Sequence, residues 1–183
     1  MSKRAIIAVD IQNDYFPGGK YELAGMERAA DNAARVIRAA RERGDRVIHI
    51  QHVFEGPEAP FFVPNTEGVK TNPVVAPLAG ENIVVKTHVH SFLNTDLKEL
   101  LDHNGIEDVV VVGAMSHMCI DAATRAASDL GYNTTVFQDA CATRDLEFNG
   151  VTVPAGSVHA AMMAALGFAY AKIVDTDIYL AAE

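Results

Sequence analysis

The chain has 183 residues, 49% of them hydrophobic and 21% charged, and a formal net charge of -9. That balance describes one folded domain with a sizeable core, expected to span residues 1–183, and it is too apolar for a disordered segment. The 15 lysines and arginines are scattered singly, which argues against nucleic acid or an anionic membrane surface as a partner.

The first apolar run, Arg4 to Val9, reads as a buried strand and is broken at Asp10. It is too short for a secretory signal, and no later apolar stretch approaches a membrane span. Met26 to Arg43 has helical period, with Ala30, Ala33, Ala34, Ile37 and Ala40 on one stripe and Gly44 as its stop. Arg46 to His52 is the second strand. The proline-rich segment Glu55 to Pro77 shows little period and reads as a long ordered loop or lid. A third strand, Asn82 to Lys86, precedes a short helix from Thr95 to Asn104. A fourth, Asp108 to Val112, precedes a helix from His117 to Leu130. Asn133 to Phe137, the helix Pro154 to Tyr170 and the strand Lys172 to Val174 complete the order.

Continuous β-branched runs alternating with helices predict an α/β protein. The fold expected is a doubly wound, mainly parallel six-stranded sheet with helices on both faces. In such sheets ligands bind at the carboxyl ends of the strands. Asp10, His52, Lys86 and the segment Gly113 to Cys119 all fall there. Cys119 follows a strand and a tight turn, in the predicted first turn of a helix, where the helix dipole and unpaired N–H groups would stabilise a thiolate. Its other reading is a small buried hydrophobe. Asp10 suits a base, a metal ligand or a cap, while Asp14 reads as local capping. Lys86 follows three apolar residues and needs an anion unless it snorkels to water. Cys119 and Cys141 are the only cysteines. Two make no disulfide framework, so reduced thiols and a cytoplasmic location are expected, with Cys141 a core residue.

Three segments in order, Val9-Asp-Ile-Gln-Asn-Asp-Tyr-Phe16, Lys86-Thr-His-Val-His-Ser-Phe92 and Gly113-Ala-Met-Ser-His-Met-Cys119, resemble the isochorismatase-like cysteine hydrolases. That group includes nicotinamidases and streptothricin hydrolase. The resemblance implies a Rossmann-like fold and a triad in which Asp10 is the base, Cys119 the nucleophile and Lys86 the group that holds their charges. It also implies a cis peptide between Ala114 and Met115, and an oxyanion hole made by the Met115 and Cys119 backbone N–H groups. The implied reaction is hydrolysis of a C–N bond of a small molecule, through a thioester. The resemblance further implies a homo-oligomer.

Nicotinamidases of this family hold a metal through an Asp-X-His pair after the second strand, and here that strand runs His49-Ile-Gln-His52. His49 and His52 point to opposite faces of a strand, so no metal and no cofactor are expected. Substrate contacts are expected from Gln12, Phe16, His52, Phe61, His90 and His117, with Phe62 a neighbour of Phe61 and the loop Asp145 to Gly150 closing from the far side. His159, within the last helix, reads as structural. A nucleotide-binding reading fails for want of a Gly-rich phosphate loop. Two alternatives stay open: a vinyl-ether hydrolase of the isochorismatase type, and a non-catalytic scaffold built on the same fold.

Overall fold

The computed structural model describes residues 3–56 and 58–181. Its main sheet has six strands: β1 (Arg4–Val9), β2 (Arg46–His52), β3 (Asn82–Lys86), β4 (Asp108–Ala114), β5 (Asn133–Ala142) and β8 (Lys172–Val174). They lie in the order β3-β2-β1-β4-β5-β8, every neighbouring pair parallel. β6 (Leu146–Phe148) and β7 (Val151–Val153) form a separate antiparallel hairpin where a loop was expected. The helices are α1 (Met26–Arg43), α2 (Leu97–His103), α3 (Asp121–Asp129), α4 (Ala155–Ala169) and a short α5 (Thr176–Ala181), which the periodicity does not announce.

The central strand is apolar on both faces because both faces are covered. Ile6 and Ala8 pack with Ala29, Ala33, Val36 and Ile37 of α1. Ala5, Ile7 and Val9 pack with Leu97 and Leu101 of α2, Ala127 of α3 and Met163 and Leu166 of α4. Each fully buried Ile or Val of this strand contributes about 1.5–3 kcal/mol of transfer free energy. α1 ends as predicted at Gly44, whose φ of +74° lets its N–H reach back to the carbonyls of Ala40 and Arg41.

Two strands outrun their predicted ends, and both extensions serve the site. β4 continues through Gly113 and Ala114. Gly113 pairs with Val9 at φ +122°, and a Cβ there would stand 2.0 Å from the Val9 carbonyl oxygen. Only glycine lets the two strand ends close so tightly. β5 bulges opposite β4, pairing Val136 with Val111 and then Cys141 with Gly113, and so runs on to Ala142. The helix predicted from His117 begins instead as a π-helical turn, Ser116–Ile120, which passes into α3. Such turns widen a helix locally and recur at functional sites.

Candidate active site

Asp10 is the first residue after β1 and adopts φ +52°, a conformation aspartate tolerates better than most side chains. Its N–H bonds the Ile50 carbonyl at 3.1 Å, and its own carbonyl accepts from the Gln12 N–H at 2.9 Å. The carboxylate is wholly buried. Lys86 ends β3, two strands away, and its long stem spans past His52 at the end of β2 to bring the ammonium to Asp10. There Nζ lies 2.9 Å from Asp10 Oδ2, 3.1 Å from Cys119 Sγ, 3.1 Å from the Val89 carbonyl oxygen and 3.4 Å from His52 Nδ1. Cys119 sits in the π-helical turn and is 2% exposed. Asp10 Oδ1 accepts no hydrogen bond within the protein. Strand end, edge-strand lysine and post-strand cysteine thus converge on one buried point.

Charge decides which of the three holds a proton. Burial acts to lower the Lys86 pKa, but the Asp10 charge and the hydrogen bonds to Asp10 and the Cys119 sulfur act to raise it, and the net shift is upward, so the ammonium persists. Burial, followed by the Asp10 carboxylate, pushes the Cys119 thiol up, against the smaller opposing effect of Lys86. The helix-terminus argument led to the opposite expectation, a depressed thiol pKa. It does not hold because the cysteine enters through a buried turn facing a carboxylate. One ammonium can neutralise one neighbouring anion, and its nearest acceptor is Asp10 Oδ2 at 2.9 Å, ahead of Cys119 Sγ at 3.1 Å. The thiol keeps its proton, and a carboxylate oxygen of Asp10 lies within 4.8 Å of the sulfur.

His52 ends β2 and stacks on Phe54, ring centroids 4.4 Å apart. Burial lowers its pKa to about 4, so the ring is neutral near pH 7. With Nδ1 facing the Lys86 ammonium as acceptor, Nε2 carries the hydrogen, and it has no partner in the protein. His49, on the opposite face of the strand, bonds Glu81 at 3.0 Å instead. Asp10, His52 and Cys119 each offer a donor atom within 4.8 Å of the others, and they are the group among the described residues able to hold a metal. The Lys86 ammonium lies within 3.4 Å of an atom of each, so an ion there would meet a positive charge.

The remaining candidates divide by what they touch. Gln12 is buried and braces backbone: its amide donates to the carbonyls of His52 and Val69 and accepts from the His52 N–H. These bonds tie the end of β2 to the proline-rich segment, a different role from the substrate contact expected of it. Asp14 caps the local turn through the Lys20 N–H, but its other oxygen accepts from the distant Phe62 N–H and so also ties the turn to the proline-rich segment. Phe61 stacks on Tyr21 at 4.2 Å and meets Phe54 and Phe62 edge-on, while Phe16 is half-buried against the same cluster. His90 accepts from the Phe92 N–H at Nδ1. His117 keeps partial exposure beside Cys119, with Nδ1 2.6 Å from the Thr143 hydroxyl. Val89 and Phe54 escape sequence reasoning, one because it acts through its carbonyl and the other because it acts through a ring stack. The peptide between Ala114 and Met115 is cis.

Residues 4–167 match the isochorismatase domain family. The chain is 48% identical to the uncharacterised isochorismatase family protein YddQ of Bacillus subtilis, covering 96% of this chain and 98% of that one. It is 29% identical to a maleamate amidohydrolase of Pseudomonas putida, over 78% of this chain and 73% of that one. Among solved structures, an isochorismatase-type hydrolase from Oleispira antarctica superimposes with a TM-score of 0.94 at 51% identity, covering 97% of this chain and 96% of that one. With that superposition and a family match over residues 4–167, this chain belongs to the isochorismatase family of hydrolases.

Proposed function

We propose that this protein hydrolyses a C–N bond, in an amide, lactam or carbamoyl group of a small molecule, with Cys119 as nucleophile. The observation that carries the reading is the buried Asp10–Lys86–Cys119 contact, in which the ammonium bridges carboxylate and sulfur while one carboxylate oxygen stays free. Asp10 takes the thiol proton as sulfur attacks the carbonyl carbon. At that moment the charge moves from Asp10 to the sulfur and on to the oxyanion, and Lys86 remains beside both ends of the transfer. The Met115 and Cys119 N–H groups receive the oxyanion. Asp10 returns the proton to the departing amine, leaving a thioester. It then deprotonates the water that cleaves the thioester, releasing the acid and restoring the thiol.

The amidohydrolase among its relatives supports the C–N assignment, and Cys119 supports acyl transfer over vinyl-ether hydrolysis. His52, with its unpartnered Nε2–H, and His117 and His90, with partial exposure, are the groups we assign to substrate contact, with Phe61 shaping the wall. The proposed protein works in the cytoplasm as a homo-oligomer. Support for assembly comes from α4, which is apolar nearly all round yet leaves Ala160, Ala161, Ala164, Ala165 and Phe168 exposed.

The test is ammonia release from a panel of small primary amides and carbamoyl compounds, with acid-quenched enzyme analysed by mass spectrometry. An acyl adduct on Cys119, lost together with turnover in Cys119→Ala, supports the reading. Turnover that survives Cys119→Ala refutes Cys119 as the nucleophile.

A further inference from the structure

Ser116 stands between Met115 and Cys119 on the turn that bears both proposed oxyanion donors, and its side chain is wholly buried. Its hydroxyl lies 2.8 Å from His159 Nδ1 on α4 and 3.3 Å from the Ala142 carbonyl oxygen. The opposite ring nitrogen, His159 Nε2, lies 3.1 Å from Gln138 Oε1, and the Gln138 amide donates to Asp175. A carboxylate can only accept, so it orders every proton in this series. Gln138 turns its NH₂ to Asp175 and its oxygen to His159. The histidine then carries hydrogen on Nε2, and its Nδ1 lone pair receives the Ser116 hydroxyl. Reversing any bond would set two acceptors against each other. Burial lowers the His159 pKa, which keeps the ring neutral and the lone pair available.

From the turn the series runs through His159 on α4 and Gln138 on β5 to Asp175 between β8 and α5, so it fastens the turn to strands that carry no proposed triad residue. The next residue, His117, is held by Thr143 at the end of β5, a second attachment of the same turn to the same strand. Neither His159 nor Gln138 is among the groups that Lys86 or Asp10 touch.

We infer that His159 is a positioning residue that, through Ser116, holds the Met115–Cys119 turn in the geometry that binds an oxyanion. The inference rests on the cysteine-hydrolase reading, and it separates two properties of Cys119: its reactivity as a sulfur, and its ability to attack a carbonyl.

Two probes separate them. p-Nitrophenyl acetate acylates Cys119 through a tetrahedral oxyanion and releases p-nitrophenolate. Iodoacetamide alkylates it by direct displacement, sulfur bonding carbon as iodide leaves, with no oxyanion formed. Both rates are measured with Cys119 confirmed as the labelled residue by mass spectrometry. In Ser116→Ala and in His159→Phe, acylation should fall about tenfold, less than the loss of a direct oxyanion donor, while alkylation stays within about twofold. The double variant should be no slower than either single one, since both remove the same link. His159→Asn, whose amide oxygen can stand where Nδ1 stood, should recover most of the acylation rate. The inference is overturned if acylation and alkylation fall together, if neither changes, or if the two substitutions add. Failure of the underlying reading looks different: wild-type Cys119 would take up neither probe, and the inference would fall with it.

Discussion

At the scale of single residues, the Asp10–Lys86 pair carries the sharpest expectations. Asp10→Asn keeps the shape and tolerates the positive φ, so it isolates the loss of charge. An ammonium left buried without its carboxylate should cost about 3 kcal/mol, read as a lower urea midpoint, and the variant should lose at least about a thousandfold in turnover. A variant of unchanged stability would mean that Lys86 finds another anion. Gly113→Ala makes a different demand. The added methyl meets backbone 2.0 Å away on the neighbouring strand, and thermal melting should show several kcal/mol lost or no folded protein. Much of this was legible in the residues themselves. Asp10, Lys86 and Cys119 stand out because strand-end positions and three ordered motifs mark them. The protonation of Cys119 was not legible, because it depends on burial and on a carboxylate brought near by the fold. Nor was the bracing role of Gln12, since nothing in the local sequence tells that its amide will meet the backbone of β2.

At the scale of elements, the six strands and four longer helices follow from pattern, since each apolar run has a length that suits only one structure. The misses have a common origin. The extension of β4 and β5 depends on a bulge between them, and the π-helical turn depends on contacts with β5 and α4, so neither is written in local periodicity. The β6–β7 hairpin is short and has Phe148 76% exposed, which offers no buried face to predict from. α4 makes the clearest element-scale prediction. Its near-uniform apolarity is excessive for a helix with one covered face, and Phe168 is 92% exposed. Phe168→Glu should shift the protein to smaller species in light scattering coupled to size exclusion, with alkylation of Cys119 unaffected. An unchanged mass would remove α4 as support for the proposed assembly.

At the scale of the whole molecule, burying histidines sets the acid limit of stability. His52 has a folded pKa of about 4 against 6.5 in the unfolded chain. Between those values the unfolded chain binds a proton that the fold refuses, so stability falls as pH is lowered through this window, by on the order of 3 kcal/mol from His52 in full. Burial lowers His49, His117 and His159 in the same direction. Urea midpoints should therefore drop steadily from pH 7 to pH 5, and a flat or rising series would contradict the assignment of buried neutral rings. The order of the sheet has one more consequence. β1 and β4 meet at its middle, where the chain reverses its direction of build-up: the strands before that seam in sequence lie on one side of it and the strands after it on the other. Asp10 and Lys86 belong to the first side and Cys119 to the second. Cutting the chain after α2, at the turn through Gly105, would part Cys119 from Asp10 and Lys86, and pairing of the two pieces across the β1–β4 ladder would bring the three side chains together again. On the proposed function, turnover would then signal that the two halves have found each other.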